Sequence, residues 1–276
     1  MRIRIVDAFT DLPFAGNPAG VLLLPDADAF PADAWLQSVA AELNLSETAF
    51  AHPTPGAPDA DWALRWFTPA AEVNMCGHAT LATAHALHTS GAASGTVRFS
   101  ARCGVLTTTT GADGTTTMDF PTAPLTPVEV PAGVAPAIGA EVLSALGTGE
   151  DVGDLLVEVA DEKTVRALTP DPAKVAALPS GRGLIVTARA ESPDTEGYDF
   201  VSRCFFPALG IPEDPVTGSA HTALAPFWAA RLGRDELTGL QASARGGRVR
   251  TALRGDRVLL TGRAVTVVDG ELHARP

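Results

Sequence analysis

The chain has 276 residues, of which 46% are hydrophobic and 19% charged, and its formal net charge is −12. Such a balance belongs to a folded globular protein, and the length suits two lobes of roughly 130 residues better than one core. A chain this acidic offers no basic stripe for a phosphate backbone, which excludes nucleic acid as a partner.

In chain order, residues 2–9 alternate apolar and polar side chains and predict a first strand. Gly16-Asn17-Pro18 reads as a turn cluster, and residues 21–24 as a second strand. Pro31 opens a helix in which Leu36, Val39, Ala40 and Leu43 recur at helical spacing. Strands follow at 46–52 and 62–68, then a helix of small residues over 79–88. Three Thr- and Val-rich runs at 96–100, 105–110 and 116–120 predict a meander. Residues 121–136 carry five prolines without a period and read as a connection between lobes. Beyond it come strands at 154–160, 183–188 and 199–206, a helix over 219–232 and a closing meander to 272. Arg245, Arg248, Arg250, Arg254 and Arg257 alternate there as on exposed strand faces.

This order repeats. Cys76-Gly77-His78-Ala79-Thr80 precedes an Ala-rich helix and Gly-punctuated strands, and Thr217-Gly218-Ser219-Ala220-His221 precedes another such helix and strand set. Two copies of one lobe would face each other across a cleft, the usual place for a ligand. The expected division is 1–120 and 121–276, with a terminal segment that can cross back to the first lobe.

Cys76, Cys103 and Cys204 form neither a CxxC pair nor an even framework, as expected of free thiols in a reducing compartment. The N-terminal residues enter a strand pattern directly, and apolar runs stay far below the 18 or so residues of a membrane span. A soluble cytoplasmic protein is the expectation.

Three polar, turn-forming segments are candidates for chemistry: 46–50, 68–78 and 213–221. Gly77 and Gly218 both stand where a helix begins, so unpaired N–H groups and the positive dipole end can receive a carboxylate. Glycine lets a ligand approach that backbone closely. Around this anchor lie Glu47, His78, Asp214, Ser219 and Cys76, an acid/base set without an electron sink, suited to proton transfer beside a carboxylate.

At these residues the chain resembles the phenazine-biosynthesis PhzF family. Asp7-Ala8-Phe9-Thr10 through Gly16-Asn17-Pro18-Ala19-Gly20-Val21 is similar to the family's opening signature. Ser46-Glu47-Thr48-Ala49-Phe50 is similar to the segment carrying its acid/base glutamate. Arg65-Trp66-Phe67-Thr68-Pro69 into Cys76-Gly77-His78, and Glu213-Asp214-Pro215-Val216-Thr217-Gly218-Ser219-Ala220-His221, resemble two further signatures. The ending, Gly262-Arg263-Ala264-Val265 through Asp269-Gly270-Glu271-Leu272, is also similar.

The resemblance implies an α+β fold of two pseudo-symmetric diaminopimelate-epimerase-like lobes, each a curved, mostly antiparallel sheet or barrel around a central helix. It implies a cofactor-independent isomerase, a homodimer, and a small carboxylate-bearing substrate such as trans-2,3-dihydro-3-hydroxyanthranilate. Glu47 would move the proton, with His78 and Asp214 completing the catalytic set. Ser219 would orient the substrate beside Cys76, and the backbone of Gly77 and Gly218 would hold its carboxylate.

Rival readings are weaker. Cys76 lies near where related epimerases and racemases place one of two cysteines, but its counterpart in the second half is read as Asp214. That disfavours a two-thiol racemase and leaves a thiol/carboxylate pair open. His78, His85 and His88 share helical spacing, yet no carboxylate joins them to make a metal site. Asp214, Ser219 and His221 lack a G-x-S-x-G elbow, and neither G-x-G-x-x-G nor a P-loop is present. A non-catalytic carboxylate-binding protein would keep both helix starts and dispense with Glu47.

Overall fold

The apolar alternation at the N-terminus becomes β1 (Arg2–Ala8), and the chain turns at Gly16 into β2 (Asn17–Leu23). A computed structural model describes residues 1–179 and 181–276, which divide into two units, 1–119 with 261–276, and 120–260. No helix among the described residues is long and apolar enough to cross a membrane.

The first unit continues with α1 (Asp33–Leu43), β3 (Glu47–Pro53), β4 (Trp62–Phe67), β5 (Glu72–Val73) and α2 (Gly77–Ser90). The expected meander follows as β6 (Gly95–Ala101), β7 (Gly104–Thr110) and β8 (Thr116–Pro121). β1 pairs antiparallel with β2, β2 parallel with β3, and β3 antiparallel with β4. β4 then pairs antiparallel with β5 and parallel with β6, which pairs antiparallel with β7. The last strand of the chain, Ala264–Glu271, lies antiparallel to β1 and completes this unit.

α2 packs against β1, β2, β3, β7 and that last strand, so it is covered on nearly every side. Its composition answers to this position. Ala79, Ala82, Ala84 and Ala86 let strands approach closely, and Leu81 and Leu87 each contribute about 2 kcal/mol by burial. Gly91 in the left-handed region ends the helix.

The second unit holds β9 (Thr126–Val128), α3 (Val134–Ile138), β10 (Ser144–Gly147), α4 (Gly149–Val152) and β11 (Asp154–Glu158). α5 (Glu162–Ala167) and α6 (Pro172–Ala176) lead to β12 (Gly183–Arg189), α7 (Pro193–Glu196), β13 (Phe200–Phe206) and β14 (Ile211–Asp214). α8 (Gly218–Leu232) is followed by β15 (Glu236–Gln241), β16 (Gly247–Arg254) and β17 (Arg257–Gly262).

Its pairings repeat those of the first unit step for step. β10 is antiparallel to β11, β11 parallel to β12, β12 antiparallel to β13, β13 antiparallel to β14 and parallel to β15, and β15 antiparallel to β16. The fold is therefore α+β with two pseudo-symmetric halves, each built around one Ala-rich helix.

Two local readings need correction. The expected connection at 121–136 contains β9 and the start of α3; β9 is fully exposed, and Pro127 is tolerated on so short and peripheral a strand. Asn17-Pro18 belongs to a strand, because the turn ends one residue earlier, at Gly16 with φ +65°. A Cβ on Gly16 would stand 2.2 Å from the Ala8 carbonyl oxygen, so only glycine closes this loop. The helix expected over 219–232 is α8, which runs straight through Pro226. The Thr222 carbonyl that Pro226 cannot pair accepts instead from the Ala123 backbone N–H at 3.1 Å, which satisfies the group the proline orphans.

Candidate active site

In the first unit, three sequence-predicted residues meet at the start of α2. Glu47 is the first residue of β3, Cys76 is the N-cap of α2, and His78 is the second residue of that helix. Their ligating atoms lie within 4.8 Å of one another. The His78 ring stands between the other two: Nδ1 is 3.5 Å from Cys76 Sγ, and Nε2 is 3.3 Å from Glu47 Oε2. The two ring nitrogens point in opposite directions, so the trio has the layout of a proton relay and not of a cage around one ion.

A fourth residue fixes the relay's direction. Asn17, fully buried at the start of β2, places Nδ2 3.2 Å from His78 Nδ1, while Ser46 Oγ lies 3.5 Å from Asn17 Oδ1. The Ser46 hydroxyl holds the amide with its NH2 toward the ring. His78 Nδ1 thus faces donors and must accept, which leaves the proton on Nε2, toward Glu47. Burial pushes the His78 pKa down to about 3, so the ring is neutral at physiological pH. His78 presents its Nε2–H toward the Glu47 carboxylate at 3.3 Å, without the alignment of a hydrogen bond. That side chain is 13% exposed, which leaves it reachable.

The opening signature serves this placement. Asp7, almost fully buried, accepts from the Phe14 N–H at 2.7 Å and clamps the loop that delivers Asn17. Arg65 does the same for the loop into α2, through paired bonds of 2.7 and 2.8 Å to Glu72.

In the second unit, Asp214 ends β14 and is buried, and it accepts from the Thr217 hydroxyl. Gln241, fully buried, braces the turn: Oε1 accepts from Thr217 N at 2.8 Å and Nε2 donates to Asp214 O at 2.7 Å. Ser219, the second residue of α8, accepts at 2.9 Å from Arg182 Nη2. Arg182 is held by paired bonds of 2.9 and 2.6 Å to Asp154, whose side chain is wholly buried, and it lies over the Phe206 ring. Burial raises the Asp154 pKa against the pull of Arg182. Because Ser219 Oγ accepts from a guanidinium, its own O–H is free to donate elsewhere.

The two helix starts correspond residue by residue. Cys76 and Thr217 are the N-caps, and neither side chain caps its helix. The fourth helical residues, Thr80 and His221, each donate back to the N-cap carbonyl, at 2.6 and 2.8 Å. The counterpart of Cys76 is therefore Thr217, and the sequence-based pairing of Cys76 with Asp214 is corrected: it matched reactive side chains, whereas the cap position sets the equivalence.

Among the residues considered for a metal, His85 bonds Thr266 Oγ1 at 3.1 Å and shares nothing with the His78 cluster. None of the three cysteines is in a disulfide, and burial pushes the Cys204 thiol far up, leaving it inert. Asn17, Ser46, Asp154, Arg182 and Gln241 were not singled out from sequence. The one available signal was a glycine followed by a short polar residue and an apolar run, seen at Gly16-Asn17 and again at Gly153-Asp154.

The family model for PhzC-PhzF, phenazine biosynthesis-like protein, matches residues 6–270. The chain belongs to the PhzF family. An uncharacterized isomerase of Pseudomonas aeruginosa is 48% identical over 274 residues, covering 99% of both chains. A PhzF-family crystal structure from Enterococcus faecalis superposes with TM-score 0.89 at 39% identity, covering 99% of each chain. A probable proline racemase from Agrobacterium radiobacter, with TM-score 0.63 and 14% identity over 100% of this chain and 93% of its own, shares the fold. As a PhzF-family member the protein is an enzyme of the isomerase class.

Proposed function

We propose that the protein relocates a proton within a small carboxylate-bearing substrate of the dihydro-hydroxyanthranilate type, with Glu47 as the base. The observation that carries this reading is the pairing of Glu47 with the neutral His78 Nε2–H beside an uncapped helix N-terminus. Glu47 takes a proton from one carbon, becomes a carboxylic acid, and returns the proton to another carbon, so atoms and charge balance without a co-reactant. His78 presents its N–H to the carboxylate while it is ionised, which keeps it oriented. The N–H groups at the start of α2, at Gly77, are suited to the substrate carboxylate. In the second unit, Asp214, the Ser219 hydroxyl and the N–H at Gly218 are proposed as substrate-binding groups.

The test is turnover and solvent-deuterium incorporation in deuterated water, over a panel of cyclic and amino-acid carboxylates. Glu47→Gln keeps shape and removes the acceptor, and exchange should fall at least about a hundredfold while ligand binding persists. Cys76→Ser should change little. A dead Cys76 variant beside a near-normal Glu47 variant would transfer the chemistry to the thiol.

A further inference from the structure

The first unit carries a cavity away from Glu47, Cys76 and His78. Two adjoining spaces of about 690 and 490 Å³ share Arg2, Arg4 and Ser90 in their walls. Ser90 ends α2, so the helix rise places this region about 20 Å from His78.

Arg4 is the unusual group here. The residue is only 5% exposed, yet among the described residues its guanidinium finds one acceptor, Asp269 Oδ2, at 3.4 Å from Nε. Asp269 is already engaged through both oxygens by Arg2, at 2.6 and 2.5 Å. One carboxylate therefore serves two arginines, and the buried one is served worse. A buried charge without a close partner is costly, and the remaining N–H groups of Arg4 border the cavities. Asp26 also lines the larger cavity, but it is exposed and largely screened by water. The wall beyond Arg4 is apolar: Leu23, Pro25 and the indole of Trp62.

We propose that this groove is a binding site for a small organic anion, its carboxylate or phosphate on Arg4 and its apolar body against Trp62. The planar fork of Arg4 suits either head group through two parallel N–H bonds. The site is separate from the catalytic cluster, so its ligand is an effector or a second substrate fragment and not the carboxylate held at the start of α2.

The experiment is calorimetric titration of the full chain with phenyl phosphate, benzoate and inorganic phosphate, on wild type, Arg4→Gln and Arg4→Lys. Phenyl phosphate or benzoate should bind wild type, and Arg4→Gln should weaken that binding at least about tenfold. Arg4→Lys should retain part of it, and thermal melts should show all three proteins folded. Trp62 indole and Ser90 amide resonances should shift on titration. Unchanged isotherms in a folded Arg4→Gln protein would overturn the site, as would silence of wild type to all three probes. Inorganic phosphate binding as tightly as phenyl phosphate would overturn the role of the apolar wall. A change of oligomeric state in Arg4→Gln by light scattering, with wild type silent to the probes, would mean that a second copy covers the groove, and would also overturn the proposal.

Discussion

Replacing Arg182 by Met separates two effects that the structure ties to one side chain. Arg182 compensates Asp154, whose side chain has no solvent exposure, and it donates to Ser219 Oγ at 2.9 Å. Removing one partner of a buried ion pair leaves an uncompensated charge, at a cost of about 3–5 kcal/mol. Asp154 will respond by taking up a proton, since burial already raises its pKa, so the lower end of that range is expected near neutral pH. The Arg182→Met/Asp154→Leu double variant removes both charges and should recover most of the loss, because an apolar pair of similar volume is often neutral. The second effect does not recover. Without Arg182, Ser219 is free to rotate and is no longer held as a donor, so KM should rise about tenfold in both variants with kcat less affected. Urea melts supply the first readout and steady-state kinetics the second. Equal stability of single and double variants would refute the buried-charge argument. Wild-type KM in the double variant would refute the assignment of Arg182 as a positioning residue for Ser219.

Asn17→Asp replaces an amide donor by a carboxylate that accepts from His78 Nδ1. The Nε2 proton facing Glu47 is then lost, so ¹⁵N spectra should show the opposite tautomer and kcat should fall ten- to a hundredfold, on the order of 1–3 kcal/mol for a buried hydrogen bond. Acid should destabilise the fold through its buried histidines. His78 and His221 are held down to about 3 and about 4 by burial, so the unfolded chain binds more protons below its ordinary histidine pKa near 6.5. Their contribution is complete above that pH and lost as pH falls, by about 2 kcal/mol each at pH 5. His221→Asn keeps a donor for the Thr217 carbonyl and removes the titration, so its stability should fall less steeply between pH 6 and 4, by about one proton in melts across that range.

What was legible in the sequence was whatever local pattern fixes. Apolar alternation located the long strands, and Gly77 and Gly218 marked two helix starts whose surroundings repeat. The segments that escaped were short: α3 to α7 have four to six residues each, too few for a helical period to show. They are set by contacts and caps, such as the Asp171 carboxylate accepting from the Ala173 and Lys174 N–H groups at the head of α6. The site was legible as a list of reactive side chains and not as an arrangement. Asn17 lies 61 residues from the histidine it orients, and Arg182 lies 37 from the serine it holds. Neither is reactive, so a search for acids, bases and nucleophiles passes over both. The same bias paired Cys76 with Asp214, where the backbone pairs it with Thr217.

The duplicated frame also places different side chains at corresponding points of the two halves. Asn17 and Asp154 begin β2 and β11, each after a glycine at positive φ, and each organises the second residue of the central helix. Asn17 acts on His78 directly, whereas Asp154 acts on Ser219 through Arg182. Glu47 and Gly183 are the first residues of the parallel strands β3 and β12, opposite Ala19 and Asp154. A Cβ at Gly183 would fall 2.1 Å from the Phe206 ring, the same ring that Arg182 covers. The start of β12 therefore has no room for a side chain, and the space beside it seats the Arg182 guanidinium. The second residue of the central helix carries an imidazole in one half and a hydroxyl in the other. The acids near the helix starts differ in origin: Glu47 comes from β3, and Asp214 from the end of β14, where it accepts from the Thr217 hydroxyl. A symmetric two-thiol racemase would need a cysteine at both caps, and Thr217 at the second removes that option.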